Sequence, residues 1–186
     1  MFSQTYEELL ISAEVDGTAL TASTTATSLL PAAAKIIIPG SYIYRIGQKL
    51  RIVAAGRVSN IVTTPGTLTL DVRFGATTVI ANGGAMSLNA VAKTNVPWQL
   101  WWDLTLRAKG TAANFMHQGE WVSESVVGSP LPTAGGAGTA MLPNAAPAVG
   151  ANFDSTAAQT LDLFGTWSLN NANSILVHQF AAYLSN

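Results

Sequence analysis

Two histidines, His117 and His178, are the first residues to weigh for chemistry, because a serine hydrolase sets an imidazole base within hydrogen-bond reach of its nucleophile. His117 lies in Phe115-Met116-His117-Gln118-Gly119-Glu120, where strand alternation sends His117 and Glu120 to opposite faces. They cannot serve one site from there. His178 stands in the last apolar stretch, and no Gly-x-Ser-x-Gly turn occurs in the chain. A structural or interface role is expected of both. A zinc centre needs three or four ligands, which two separated histidines without any cysteine do not supply.

Paired carboxylates are the next option, since a glycosidase sets two of them about 5 to 9.5 Å apart beside a sugar groove. The acids available are Asp71, Asp103, Asp154 and Asp162. Asp71 and Asp103 fall on the outward faces of predicted strands, with Arg73 and Arg107 two and four residues on. Mutual neutralisation on a sheet surface is the simpler reading. Gly135, Gly136 and Gly138 lack the following Lys-Ser/Thr of a phosphate loop. No enzyme activity, cofactor or metal is expected.

Five tryptophans remain, and aromatic faces suit carbohydrate. Trp98, Trp102 and Trp167 share faces with leucines and read as core, whereas Trp101 projects between Gln99 and Asp103. It is therefore exposed to a glycan, covered by the N-terminal segment or buried in a subunit contact. The last two are favoured, because tryptophan is a frequent interface anchor.

The elements that carry these residues are strands. Leu50, Ile52 and Ala54 alternate with Lys49, Arg51 and Ala55; Leu68, Leu70, Val72 and Phe74 with Thr69, Asp71 and Arg73; and Trp98, Leu100, Trp102, Leu104 and Leu106 with polar neighbours and Trp101. Further strands are expected over 9–15, 35–38, 49–59, 77–80, 113–122, 161–169 and 175–184. Thr64-Pro65-Gly66 and Asn82-Gly83-Gly84 mark turns. So many strands in 186 residues must fold as one sheet upon another, an all-β sandwich or barrel in a single domain. Residues 1–30 form an N-terminal arm or an edge strand, 31–186 the sandwich, and the Gly/Ala/Pro-rich stretch 128–150 a long loop.

Charged residues make up only 10% of the chain, against roughly a quarter in an average soluble protein. Such a chain hides much of its surface in contacts, and self-assembly is the economical explanation. A net charge of −1 without a basic run disfavours nucleic acid. The acidic start lacks the pattern of a secretory signal, and the greasiest window, 29–38, is too short to cross a membrane. The few charges are sorted: Glu7, Glu8, Glu14 and Asp16 are followed by Lys35, Arg45, Lys49, Arg51 and Arg57 with no acid among the five. These read either as two solvated surfaces or as complementary patches, the acidic segment of one subunit lying on the basic strand of the next.

The segments Arg45-Ile46-Gly47-Gln48-Lys49-Leu50-Arg51-Ile52, Gly56-Arg57-Val58-Ser59 and Thr64-Pro65-Gly66-Thr67-Leu68-Thr69-Leu70-Asp71-Val72-Arg73-Phe74-Gly75 resemble structural proteins of tailed bacteriophages. The likeness continues through Asn82-Gly83-Gly84-Ala85-Met86 and Lys93-Thr94-Asn95-Val96-Pro97-Trp98, and returns at Phe153-Asp154-Ser155-Thr156. It implies a jelly-roll subunit on the outer capsid surface of the virion, a decoration or cement protein that sits as a homotrimer and bridges copies of the major capsid protein. It carries no catalytic residue to transfer. A tail-fibre or receptor-binding tip that binds a host glycan would use the same fold.

Overall fold

A computed structural model describes residues 6–127 and 138–185. Among the described residues thirteen strands build two antiparallel sheets packed face to face, and the one helical turn is a 3-10 turn at Ala32–Ala34. The larger sheet orders β1 (Glu7–Ser12), β13 (Ser174–Ser185), β5 (Lys49–Asn60), β9 (Lys93–Ala108), β10 (Asn114–Ser123) and β11 (Thr139–Leu142), with β2 (Leu20–Thr21) also on β13. The smaller orders β3 (Thr27–Ser28), β12 (Gln159–Trp167), β6 (Thr67–Phe74) and β7 (Thr78–Asn82), with β4 (Ile37–Ile38) on β12 and β8 (Met86–Ser87) on β6. From β5 onward the chain crosses from one sheet to the other four times: β5, then β6 to β8, then β9 to β11, then β12, then β13.

Period-two patterning drives this arrangement. Leu50, Ile52, Ala54 and Val58 of β5 face inward with Trp98, Leu100, Trp102, Leu104 and Leu106 of β9. Opposite them stand Leu68, Leu70, Val72 and Phe74 of β6 and Leu161, Leu163 and Trp167 of β12. Each fully buried leucine or valine is worth about 1.5 to 3 kcal/mol over leaving it in water, so these rows hold the sandwich together without disulfides. One end of the core is aromatic: Phe153 stacks on Phe115 at 5.1 Å between centroids and meets Phe74 edge-on at 4.8 Å.

The described part of the first 30 residues belongs to the sandwich. β1 forms the edge of the larger sheet, and Leu20, Leu29 and Leu30 are buried in the core. The Gly/Ala/Pro-rich stretch 128–150 is not all loop: β11 lies within it, turning Ala140 and Leu142 inward against β10, and Val149 bridges to Met116. Residues 128–137 of that stretch lie outside the described residues.

Candidate functional site

The outer face of the larger sheet is where the chemistry-bearing side chains gather, because alternation on β5, β9 and β10 sends every second residue there. Register stacks them in rows. Lys49 stands opposite Thr105 and Met116, and Arg51 opposite Asp103 and Gln118. Val53 aligns with Trp101, Glu120 and Met141, and Ala55 with Gln99, Val122 and Thr139. The first two rows carry Lys49, Arg51 and Asp103, and the last two mix the apolar Val53, Trp101, Val122 and Met141 with Glu120, Gln99 and Thr139. Trp101 is 47% exposed, and Val53, Val122 and Met141 are exposed beside it. Trp101 is a ridge between two depressions. One, of about 350 Å³, is lined by Lys49, Asp103, Arg107, Gln118, Glu120 and Met141; the other, of about 310 Å³, by Val53, Ala55, Gln99, Val122 and Gln179.

The acids that sequence offered for catalysis are tied to bases. Asp103 pairs with Arg51, Nε to Oδ1 at 2.9 Å, and with Lys49 at 3.9 Å, and not with Arg107 as spacing along the strand had predicted. Cross-strand register wins because residues directly opposite are closer than residues four apart on one strand. The Asp103 carboxylate raises the already high pKa of Arg51, whose guanidinium carbon lies 5.5 Å from the Trp101 ring centroid. Asp71 does pair with Arg73 at 2.8 Å and faces outward on the smaller sheet, but it is 4% exposed and far from solvated. Asp162 is likewise buried, held by Lys35 at 3.0 Å and accepting from the Ser28 hydroxyl and the Leu163 amide at 2.8 Å. Asp154 caps its own turn, and the Thr156 hydroxyl and amide hold its pKa below the usual carboxylate range.

The charge patches meet within one chain. Glu7 on β1 reaches across β13 to Arg51 on β5 at 3.3 Å, so the expected contact between acidic segment and basic strand has an intramolecular member. Glu8 accepts a hydrogen bond from the Tyr42 hydroxyl, which raises that phenol's pKa, and Asp16 lies 2.9 Å from His178 Nδ1. Glu14, Arg45 and Arg57 are exposed and have no ion-pair partner among the described residues.

His117 turns inward, as alternation predicts, and its Nδ1 accepts a hydrogen bond from Trp102 Nε1 at 3.2 Å. Burial lowers its pKa, so it is a neutral core imidazole at pH 7 with its proton on Nε2. Trp98, Trp102 and Trp167 are buried as expected. Trp121 is a fourth buried indole that the alternation of Phe115, His117 and Gly119 reveals once it is carried two residues further.

Among the described residues no group of three or more His, Asp or Glu could hold a metal ion. No helix among them is long and apolar enough to cross a membrane. No family model, curated protein or solved structure matches the chain. The functional reading therefore rests on the residues and their geometry. They offer a contoured, partly apolar face with one tryptophan at its centre.

Proposed function

We propose that this protein is a structural subunit of a tailed-phage virion, a jelly-roll capsid decoration or cement protein that works by contact and not by catalysis. The observation that carries the reading is the bare outer face of the larger sheet, where Trp101, Val53 and Val122 are exposed together and Met141 is exposed beyond Glu120. A tryptophan beside two valines, with the Arg51–Asp103 pair on one flank and Glu120 on another, has the make-up of an interface core with a polar rim. The four long strands β13, β5, β9 and β10, about 4.8 Å apart over about 25 Å of strand, give roughly 480 Å² before side-chain relief and the shorter β1 and β11 are added, against the ~800 Å² per partner of a standard interface. The jelly roll is supported by the repeated crossing of the chain between two antiparallel sheets. The low charge content and the likeness of 45–75 to phage structural proteins point the same way. The partners in this reading are two further copies of the chain and the major capsid protein.

The second reading, a receptor-binding tail tip, is favoured by one observation. The 350 Å³ depression beside Trp101 presents Gln118, Glu120 and Arg107 around an aromatic platform, the polar and apolar mixture that a sugar ring fits. Copy counting by quantitative mass spectrometry of purified particles separates the two. A cement protein is expected in numbers comparable with the major capsid protein and in tailless heads as well. A few copies, confined to the tail fraction, would overturn it, and loss of host-cell binding in Trp101→Ala would then establish the tip.

A further inference from the structure

We infer that the open edge of β1 is a docking site for an extended, lysine- or arginine-bearing segment of another protein, which adds to the larger sheet as a further strand. The observation is independent of the outer face and of the reading placed on it. Among the described residues β1 has a backbone partner on one side only, β13, and its other side carries amides and carbonyls with no backbone partner. The remaining sheet edges are shorter or, at β7, covered. β11 is four residues long, β3 and β4 are two each, and β7 is closed by Ala151, whose amide donates to the Val79 carbonyl at 2.9 Å. An unpaired edge is a template that only another peptide backbone satisfies in full.

Side-chain seats accompany it. Two depressions, of about 240 and 220 Å³, lie one after the other where β1 meets the segment 36–44. They share Glu8 and Tyr42, whose mutual hydrogen bond is the wall between them. Tyr6 and Tyr44 line the first, and Leu10, Ile36 and Pro39 the second. Side chains two residues apart on an added strand are spaced about 6.6 Å, so neighbouring same-face residues enter successive seats. The bulge between Leu9 and Ile11 limits regular pairing to the stretch through Glu7, Glu8 and Leu9.

Charge selects the occupant. Residues 6–16 hold Glu7, Glu8, Glu14 and Asp16 and no lysine or arginine. Arg51 answers Glu7 but is shared with Asp103, and neither Glu8 nor Glu14 has a cationic partner among the described residues. The basic strand of this chain, β5, is held between β13 and β9, so it is not free to be that occupant. Like charge disfavours a second β1 edge.

The test uses the full chain and the peptide Lys-Val-Lys-Val-Lys-Val-Lys, with binding read by fluorescence anisotropy and amide protection by hydrogen exchange. The expected result is saturable binding that protects amides in 6–12 and weakens about tenfold in Leu9→Lys, which sets a cation on the exposed edge and leaves Tm unchanged. Lys-Pro-Lys-Pro-Lys-Pro-Lys, which has the charge but lacks the amide donors between lysines, should bind at least tenfold less tightly. Equal binding of the two peptides would reduce the effect to charge alone and overturn the proposal. So would the absence of binding, binding without protection of β1, or occupation of the edge by a second copy seen as a dimer that Leu9→Lys dissolves.

Discussion

Gly56→Ala should remove roughly 3 to 4 kcal/mol of stability, a large share of the ~5 to 15 kcal/mol that a domain holds in total. Gly56 sits at the centre of the larger sheet, between Val177 on β13 and Trp98 on β9. A Cβ there would fall 1.9 Å from the Leu176 carbonyl oxygen and 3.1 Å from the Trp98 ring. Backbone must move. The same carbonyl accepts the Trp98 indole N–H at 3.2 Å, so the shift also strains a buried hydrogen bond worth about 1 kcal/mol. For a chain of this length each kcal/mol moves Tm by about 2 to 4 °C, which puts the expected fall near 10 °C by calorimetry. Gly47→Ala is the control. Gly47 has φ of +91° and nothing within 4 Å of an added Cβ, so its substitution costs only backbone strain, about 1 to 2 kcal/mol. A Gly56→Ala protein that melts no lower than Gly47→Ala would contradict the pairing of β5 with β13.

The second large effect is expected at Asp71. Its carboxylate pairs with Arg73 at 2.8 Å in a nearly dry place on the outer side of the smaller sheet, and the Arg73 guanidinium carbon lies 4.4 Å from the Phe164 ring centroid. Asp71→Ala removes the carboxylate and leaves the largely buried cation with the Ala76 carbonyl at 2.9 Å and the Phe164 ring, at a cost of about 3 kcal/mol in a urea melt. The pair itself is not strongly favourable. Asp71 Oδ1 and Arg73 Nε are buried with no hydrogen-bond partner among the described residues, so part of the desolvation cost is never recovered. Asp71→Leu combined with Arg73→Met should therefore return to within about 1 kcal/mol of the parent, while the single change does not. A single mutant that loses less than about 1 kcal/mol would mean that Arg73 keeps its water.

These two sites also mark what a linear reading reaches. The strand containing Trp98, Leu100, Trp102, Leu104 and Leu106 was legible because its alternation runs for many residues, and β5 and β6 were legible for the same reason; β10, β12 and β13 were also expected as strands, although β12 and β13 break the alternation with runs of buried residues. Burial of Asp71 was not, since alternation gives a residue's face but not what its neighbours cover. The Asp103 to Arg51 pair joins positions 52 residues apart through cross-strand register, so spacing along one strand pointed instead to Arg107. β11 was hidden by its composition: Thr139, Ala140, Met141 and Leu142 have little strand character alone, and pairing with Gly119 to Val122 of β10 supplies it. Trp101 was legible as the outward exception. Its neighbours Val53, Val122 and Met141 come from three other strands and become one surface only in the fold.

Whether that surface is an interface is read from sedimentation of the parent chain beside Trp101→Glu. The substitution sets a second carboxylate beside Glu120 on the exposed face without touching the buried core, so the chain should still fold, which circular dichroism checks, while Tm falls only by the share that assembly supplies. An interface at Trp101 predicts a parent that sediments at a multiple of the chain mass, three in the proposed trimer, and a Trp101→Glu protein that sediments as a folded monomer. A parent that stays monomeric at high concentration and on purified capsids, or a Trp101→Glu protein that assembles as the parent does, would contradict it.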